Sequence, residues 1–191
     1  MKEKIIYLTR HGQSQFNVKK LIGGNSELTL EGEKYSFDLH QYFLNNKIDV
    51  KVITSKLIRT IQTGKYFDKT TQFSELNEIN SGICDSMTYQ EIEKNYPDEF
   101  NKRKNNKYYY RYPNGESYFD INCRLKKIYK LISDVDQDLL IIAHQAVLRV
   151  LISNYIKKNV DEIPYININL NTIYKLKIKS NSCELEIISI Y

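Results

Sequence analysis

The chain has 191 residues, of which 41% are hydrophobic and 27% charged, as in one soluble globular domain whose core needs no disulfide or metal. No apolar run approaches the roughly 18 residues of a membrane span, and the lysine-rich start lacks a signal-peptide core. The three cysteines are far apart. We therefore expect a cytoplasmic domain with reduced thiols and no membrane contact. The formal net charge of +5 leaves open three kinds of anionic partner: nucleic acid, an anionic membrane or an anionic small molecule.

A short apolar run near the start of the chain ends in a cation, an imidazole and a glycine. Residues 5–8 are too few for a helix and rich in β-forming side chains, which predicts a buried parallel strand. Arg10 and His11 follow, where ligands bind in open α/β sheets, and Gly12 leaves room for another group to approach the backbone. An Arg-His-Gly triplet alone is about as compatible with a strand edge carrying two incidental polar residues as with a functional site.

The next part of the chain is predicted to be a loop followed by a helix. Residues 17–25 contain a Gly-Gly pair and are predicted to form the loop. Thr29 is a suitable N-cap for a helix that ends near Asn45.

A second strand and helix follow in the predicted order. Residues 49–54 are a predicted strand, and Ser55 is predicted to cap a helix over residues 56–67. Arg59 lies in the early turns of that helix, which brings it to the same end of the sheet.

The middle of the chain combines an irregular stretch with a tyrosine-rich one. Residues 73–84 carry Glu78 among small and apolar residues, and Thr88 caps a predicted helix over residues 89–95. Residues 98–112 are charged and rich in tyrosine, a pattern typical of either an RNA-stacking patch or a lid over an anion site.

The last third returns to strand and helix. A turn at residues 113–115 precedes a predicted helix over 118–133, and residues 138–143 read as a third buried strand. This strand also ends in a histidine, His144, before a predicted helix over 146–156.

The chain closes with a predicted hairpin of residues 172–179 and 184–190 with Asn181 at its turn. Neither glycine-rich phosphate-loop nor dinucleotide motifs occur in the sequence. The alternation of strands and helices predicts an α/β fold.

Two of the three histidines each end a predicted strand. Because parallel strands end at one edge of a sheet, His11, His144, Arg10 and Arg59 can meet there. An imidazole among guanidinium groups stays unprotonated and nucleophilic, and phosphoryl transfer needs this kind of charge stabilisation, which these groups supply without a metal. The third histidine, His40, lies within a helical pattern and is predicted to be an ordinary surface or core residue.

The cations and one carboxylate complete the candidate site. Only six of the 28 cations are arginine, the residue suited to a bidentate grip on phosphate, whereas the lysines are scattered, which argues against a nucleic-acid surface. Glu78 is the best candidate for the acid that protonates the leaving oxygen, because apolar neighbours favour its protonated form; the alternative is a helix-capping or surface carboxylate.

Residues 8–14, Leu-Thr-Arg-His-Gly-Gln-Ser, resemble the signature of the histidine phosphatase (phosphoglycerate mutase-like) superfamily. More narrowly, the chain from about residue 4 to 190 resembles the fructose-2,6-bisphosphatase domain of 6-phosphofructo-2-kinase/fructose-2,6-bisphosphatase. Seven further blocks carry that resemblance in the family's order: residues 22–26, 59–63, 76–79, 87–92, 96–100, 111–118 and 143–149. The Arg-Tyr-Pro-x-Gly-Glu-Ser-Tyr and His-Gln-Ala-Val patterns within the last two blocks are specific to this branch.

The resemblance implies a role for each matching residue. His11 is implied to be the nucleophile that becomes phosphohistidine and Glu78 the general acid. The groups implied to hold the transferring 2-phosphate are Arg10, Arg59, Asn17 and His144. Gly23 is implied to lie at the sugar, and the fructose and its 6-phosphate to be bound by Tyr89, Arg103, Lys107, Tyr118, Gln145 and Arg149, with help from Arg111.

The resemblance also implies an architecture and a function. The expected fold is a three-layer α/β sandwich around a central, mostly parallel sheet over residues 1–191, with a small helical lid subdomain at about residues 84–118 and no metal or organic cofactor. The tyrosine-rich stretch then belongs to a substrate lid and not to an RNA surface. The expected reaction is hydrolysis of fructose 2,6-bisphosphate to fructose 6-phosphate and phosphate through a phosphohistidine.

Alternatives stay open at this point. Within the same fold these are a phosphoglycerate mutase or a broad-specificity sugar-phosphate phosphatase; from another class, a non-catalytic sugar-phosphate-binding module. The kinase half of the bifunctional family is not in this sequence, so a stand-alone phosphatase and a domain separated from its kinase partner both fit. Two departures concern the site: Gln13 replaces the family's usual glutamate, and Asn114 replaces a usual cation.

Overall fold

The computed structural model describes residues 4–179 and 182–190. Its central sheet has six strands in the order β3-β2-β4-β1-β5-β6. The strands are β1 (Lys4–Arg10), β2 (Lys51–Thr54), β3 (Thr70–Gln72), β4 (Leu139–Ala143), β5 (Thr172–Ile178) and β6 (Cys183–Ser189).

The sheet is mixed, as the resemblance implied. Strands β1, β4, β2 and β3 are parallel, whereas β5 pairs antiparallel with β1 and β6 antiparallel with β5. Every residue of β4 is buried, as expected for an apolar strand covered on both faces. In the register of β1 and β4, Arg10 lies opposite Ala143, so His11 and His144 leave the sheet side by side.

Helices cover both faces of the sheet. They are α1 (Gln15–Val18), α2 (Leu30–Asn45), α3 (Ile58–Thr63), α4 (Tyr89–Asn95), α5 (Pro97–Asn105), α6 (Tyr118–Arg124), α7 (Lys126–Asp134) and α8 (Gln145–Ile156), with 3₁₀ turns at Ser74–Leu76, Gly82–Cys84 and Ile163–Tyr165. No helix in the described ranges is long and apolar enough to cross a membrane.

Two large apolar clusters form the core, one on each face. Alternate residues of β1 point to opposite faces, so Leu8 packs with α6, α7 and α8 while Tyr7 packs with α2. A smaller apolar cluster around Cys84, Ile92 and Tyr112 lies beneath α4 and α5. The first two clusters give the three layers of the sandwich, and the third packs against α4 and α5.

Several predicted elements are confirmed. Thr29 caps α2, and its hydroxyl accepts a hydrogen bond from the Gly32 amide at 3.2 Å. Thr88 caps α4 in a reciprocal capping box with Glu91. Strands β5 and β6 form the predicted closing pair, although Asn181, predicted at its turn, lies outside the described residues.

The helix predicted over residues 56–67 is wrong in length and in cap. Helix α3 covers only Ile58–Thr63. The Ile58 amide donates at 2.8 Å to the side chain of Asn25, a residue from a distant loop, so Ser55 does not cap this helix.

Other boundaries also differ from the prediction. The loop predicted at residues 17–25 begins inside α1, and the helix predicted over 118–133 is interrupted at Leu125. Strand β3 was not predicted, because its three residues are all exposed and polar and show no apolar pattern.

Gly12 leaves room for another group to approach its backbone, as predicted, and that group is the backbone of α2. A Cβ at Gly12 would lie 2.5 Å from the Gly32 carbonyl oxygen, and one at Gly32 would lie 2.2 Å from that of Gln13. The space beside Gly12 is therefore filled by the backbone of α2 and not by a ligand, and Gly32 is required for that close approach.

Candidate active site

A cavity of about 700 Å³ opens where β1 and β4 end. It gathers the residues predicted for the site, except His144 and Arg111. The predicted residues that line it are Arg10, His11, Asn17, Gly23, Arg59, Glu78, Tyr89, Arg103, Lys107, Tyr118, Gln145 and Arg149. His144 does not line the cavity but lies against His11, with ring centroids 5.1 Å apart.

The two ring nitrogens of His11 have different roles. Nδ1 lies 2.7 Å from the Gly12 carbonyl oxygen, which can only accept, so Nδ1 carries the hydrogen. Nε2 is therefore the nitrogen with a free lone pair, and it accepts a hydrogen bond from Arg59 Nε at 3.2 Å. This tautomer leaves Nε2 as the nucleophilic atom at the cavity.

Burial and two guanidinium groups keep His11 uncharged. Its side chain is buried, and burial, Arg10 and Arg59 together hold the pKa of His11 well below the usual 6.5. The sequence-based expectation of an unprotonated, nucleophilic imidazole is met by these surroundings.

One ring nitrogen of His144 lies within hydrogen-bonding distance of a buried hydroxyl. Its Nε2 lies 2.8 Å from the Ser55 hydroxyl oxygen, whereas its buried Nδ1 has no hydrogen-bond partner within the described chain. Burial and the charge on Arg59 hold the pKa of His144 well below 6.5. The ring is thus neutral and fixed, with one polar atom unpaired.

The arginines also have unused hydrogen-bonding capacity at this end of the cavity. Arg59 Nη1 donates to the Gly24 carbonyl oxygen at 2.8 Å, and the buried Arg10 Nε lacks a partner among the described residues. An unpaired buried donor is costly. A phosphate bound beside His11 would accept from these donors, so the arrangement is that of an anion site.

The Glu78 side chain lies at the start of α8. Its Oε1 accepts from the Ala146 amide at 3.2 Å and from the Ile79 amide at 3.0 Å. A helix N-terminus favours a negative charge. The expectation that Glu78 lies among apolar groups is therefore wrong, because backbone donors surround its carboxylate, although it does face the cavity.

The far end of the cavity carries three further cations. Arg103 lies over the rings of Tyr89 and Tyr112, 5.1 and 5.5 Å from their centroids, and Arg149 Nη1 donates to the Tyr118 hydroxyl at 2.9 Å.

The third, Lys107, donates to the Pro164 carbonyl oxygen at 3.2 Å and lies 4.4 Å from the centroid of the Tyr165 ring. Burial and the charges of Arg103 and Arg149 lower the pKa of Lys107 to about 8. Among the described residues no carboxylate forms a salt bridge with these three cations, an arrangement that suits a second anion.

Gly23 and its neighbours form one wall. Gly23 has a φ of +72°, and a Cβ there would lie 1.8 Å from the Asp85 Oδ1 atom, so only glycine fits. Asp85 Oδ1 accepts from the Gly24 amide at 2.9 Å. The Asn17 side chain closes the capping box of α1 with Ser14.

Some residues that sequence analysis singled out lie elsewhere. Arg111 pairs with Asp120 and does not line the cavity. Gln13 accepts from the Thr29 hydroxyl at 2.9 Å. Asn114 occupies an exposed turn with a φ of +58°.

Sequence analysis missed three residues near the site: Ser55, Lys20 and Asp85. Ser55 directly follows β2, so the same strand-end reasoning that found His11 could have found it. Lys20 lines the cavity but resembles any surface lysine in the sequence. Asp85 contacts the Gly24 amide, in a loop that is far from it in the chain, and no local sequence pattern predicts that contact.

Two rings of the tyrosine-rich stretch are packed inside the molecule, whereas Tyr109 is 53% exposed. Tyr108 is 4% and Tyr112 3% exposed, so their rings cannot stack on bases. Within residues 4–179 and 182–190, no group of three or more His, Cys, Asp or Glu side chains is arranged to hold a metal ion.

Comparison with known proteins shows the family of this chain. The family model of the histidine phosphatase superfamily (branch 1) matches residues 6–190. The chain therefore belongs to the histidine phosphatase superfamily.

The sequence relatives point to one branch of that superfamily. The chain is 42% identical over 188 residues to 6-phosphofructo-2-kinase/fructose-2,6-bisphosphatase 1 of Homo sapiens, covering 97% of this chain and 39% of the relative. The same values hold for 6-phosphofructo-2-kinase/fructose-2,6-bisphosphatase of Aquarana catesbeiana. The chain thus spans about two fifths of the length of the curated relatives that it matches.

Solved structures share the fold at low sequence identity. The alpha-ribazole phosphatase from Shigella flexneri superposes with a TM-score of 0.86 at 22% identity, covering 98% of both chains. A mycobacterial glucosyl-3-phosphoglycerate phosphatase gives a TM-score of 0.84 at 17% identity over 100% of both chains. These likenesses define the phosphoglycerate mutase-like fold of histidine phosphatases.

Proposed function

We propose that this chain is a phosphatase that hydrolyses the 2-phosphate of fructose 2,6-bisphosphate through a phosphohistidine at His11. The observation that carries the proposal is a cavity with two cationic ends. One end combines a neutral nucleophilic imidazole with Arg10 and Arg59. The other gathers Arg103, Lys107 and Arg149, as a substrate with two separate phosphates requires. The names of the sequence relatives support the same substrate.

In the first step, His11 Nε2 attacks phosphorus, and the bond between phosphorus and the sugar 2-oxygen breaks. Glu78 donates a proton to that leaving oxygen. Arg10, Arg59 and His144 hold the three non-bridging oxygens while charge is redistributed. Fructose 6-phosphate forms, and the phosphoryl group is carried on His11.

In the second step, water attacks the phosphohistidine, and the phosphorus–nitrogen bond breaks. The Glu78 carboxylate takes the proton from the water. His11 is recovered in its neutral form and Glu78 in its protonated form, so the enzyme ends in its starting protonation state, and the second hydrogen of the water leaves with the product as hydrogen phosphate. The two steps need one acid–base group and one nucleophile, which are the two functions that the cavity offers.

A substrate panel tests this proposal. We expect kcat/KM for fructose 2,6-bisphosphate to exceed that for fructose 6-phosphate or 3-phosphoglycerate by about 10²-fold or more, because the distal cations contribute only when a second phosphate is present. Phosphoglycerate mutase turnover above sugar-bisphosphate hydrolysis, or equal hydrolysis of monophosphates, would overturn the choice of substrate.

Two arginine variants sharpen the panel. Arg149→Ala should raise KM for the bisphosphate by about 10-fold or more and leave kcat nearly unchanged, because it binds a phosphate that does not react. Arg111→Ala is the matched control, since Arg111 pairs with Asp120 outside the cavity. Equal effects of the two variants would contradict a distal phosphate site.

A further inference from the structure

Ser55 lies directly behind His144, and its hydroxyl has three polar neighbours. The side chain is fully buried, at the end of β2. Its oxygen accepts from the Leu57 amide at 3.0 Å, lies 2.7 Å from the Thr60 hydroxyl and lies 2.8 Å from His144 Nε2. A hydroxyl has one hydrogen and two acceptor lone pairs, so the directions of these bonds can be counted.

The nearest acceptor for the Thr60 hydroxyl is the Ser55 hydroxyl oxygen, 2.7 Å away. The Leu57 carbonyl, 2.8 Å from this hydroxyl, already accepts from the Thr60 and Ile61 amides at 3.0 and 3.3 Å, and a carbonyl oxygen has two lone pairs. The Ser55 carbonyl lies farther away, at 3.2 Å, and already accepts from Thr54. The Ser55 hydroxyl oxygen, at 2.7 Å, is thus the best acceptor for the Thr60 hydrogen.

This leaves one direction for the bond to His144. When Thr60 donates to this nearest acceptor, Leu57 and Thr60 fill both lone pairs of the Ser55 oxygen, so the Ser55 hydrogen points to His144 Nε2. Since burial and Arg59 lower the pKa of His144 and keep it neutral, the imidazole carries its single hydrogen on Nδ1. That nitrogen is the buried atom without a partner in the described chain.

We propose that Ser55 is a positioning residue that fixes His144 as the Nδ1–H tautomer, so that this N–H donates to the transferring phosphate. A bare Nδ1 would present a lone pair to a dianion, whereas the protonated one adds a hydrogen bond to it. The kinetic consequence rests on the proposed phosphatase function, but the tautomer itself does not.

The tautomer can be measured in the free protein without any substrate. Long-range proton–nitrogen correlation NMR on histidine labelled with nitrogen-15 should show hydrogen on Nδ1 of His144 in the unmutated chain. In Ser55→Ala this fixed tautomer should give way to a mixture. Hydrogen on Nε2 in the unmutated chain, or an unaltered tautomer in Ser55→Ala, would overturn the proposal.

Kinetics give the second readout. Ser55→Ala should lower kcat for fructose 2,6-bisphosphate by about 10- to 100-fold with KM changed less than threefold, as when an orienting hydrogen bond is removed. Ser153→Ala is the matched control, because this buried hydroxyl donates only to its own helix, to the Val150 carbonyl at 2.9 Å. Equal losses in the two variants would reduce Ser55 to a packing role.

The two readouts separate this inference from the proposed function. An Nδ1–H tautomer that depends on Ser55, in a protein that does not turn over fructose 2,6-bisphosphate, would retain the positioning role and reject the substrate. Turnover of fructose 2,6-bisphosphate by a protein with hydrogen on Nε2 would retain the function and reject the role of Ser55.

Discussion

His11 and Glu78 owe their properties to the groups that contact them. The Gly12 carbonyl oxygen determines which nitrogen of His11 carries the hydrogen, and two guanidinium groups keep the ring neutral. Glu78 receives two backbone amides at the start of α8. A nucleophile that needs no deprotonation and a carboxylate that can give and take a proton together match the two steps proposed above.

Glu78→Gln should lower kcat by about 10²–10⁴-fold, the usual range for a lost general acid. Glutamine keeps an oxygen that can accept from the Ala146 amide, so KM should change little. Glu75→Gln is the control, because that carboxylate pairs with Lys127 at 2.8 Å and does not line the cavity. A loss of less than threefold in Glu78→Gln would mean that another group supplies the proton.

Lys107 should impose an alkaline limit on substrate capture. Its pKa of about 8 means that it is charged below that pH and loses its charge above it, so kcat/KM for the bisphosphate should fall as pH rises through about 8. Lys107→Met should have a low kcat/KM at all pH values and lack this fall. Lys102→Met, which removes an exposed lysine paired with Glu99 at 2.6 Å, should retain it.

An alkaline fall that persists unchanged in Lys107→Met would assign the titration to another group. The distal phosphate site would then have to be reassigned as well.

The loop of residues 22–24, which is held by residues 85–87, positions Arg59. Ile22 exchanges backbone hydrogen bonds with Met87 and Ser86, each at 2.9 Å. Asp85 holds the Gly24 amide, and the Gly24 carbonyl holds Arg59. The Asp85 carboxylate is therefore linked to the guanidinium beside His11 through a single residue, Gly24.

Asp85→Ala should lower kcat/KM by about 10-fold, the equivalent of one lost hydrogen bond. Asp161→Ala, a substitution of another exposed aspartate, should leave it within about twofold. Steady-state kinetics with urea unfolding as a stability control make the comparison. If kcat/KM of Asp85→Ala matched that of Asp161→Ala, Arg59 would not depend on this loop.

Strand-end reasoning found His11, Arg10 and His144 because parallel strands end together, which is visible in a sequence. It did not reveal that Ser55 contacts His144, because that depends on the register in which Thr54 lies opposite Ile142. The environment of Glu78 depends on where α8 begins in space. The close contact of Gly12 with Gly32 is a backbone contact, which leaves no side-chain pattern.

For the molecule as a whole, the two buried neutral histidines are expected to lower the stability of the fold at low pH. Their pKa values lie below the usual 6.5 in the folded state, so the unfolded chain binds more protons below that pH and stability falls as pH falls. The free energy of unfolding should therefore fall between about pH 7.5 and 5.5.

Urea unfolding in phosphate-free buffer checks this, because a bound anion would stabilise the protonated imidazoles. The His144→Gln variant should lose about half of the pH-dependent difference. A free energy of unfolding of the unmutated chain that stays constant or rises over the same acid range would contradict the burial of two neutral imidazoles.

The central claim is that His11 carries the phosphoryl group during turnover. The most direct measurement is a rapid acid or alkaline quench of the protein mixed with fructose 2,6-bisphosphate radiolabelled at the 2-phosphate. We predict protein-bound label that is labile in acid, stable in base, located on His11 and absent from His11→Ala. Turnover without any bound label, or label that persists in His11→Ala, would contradict the claim.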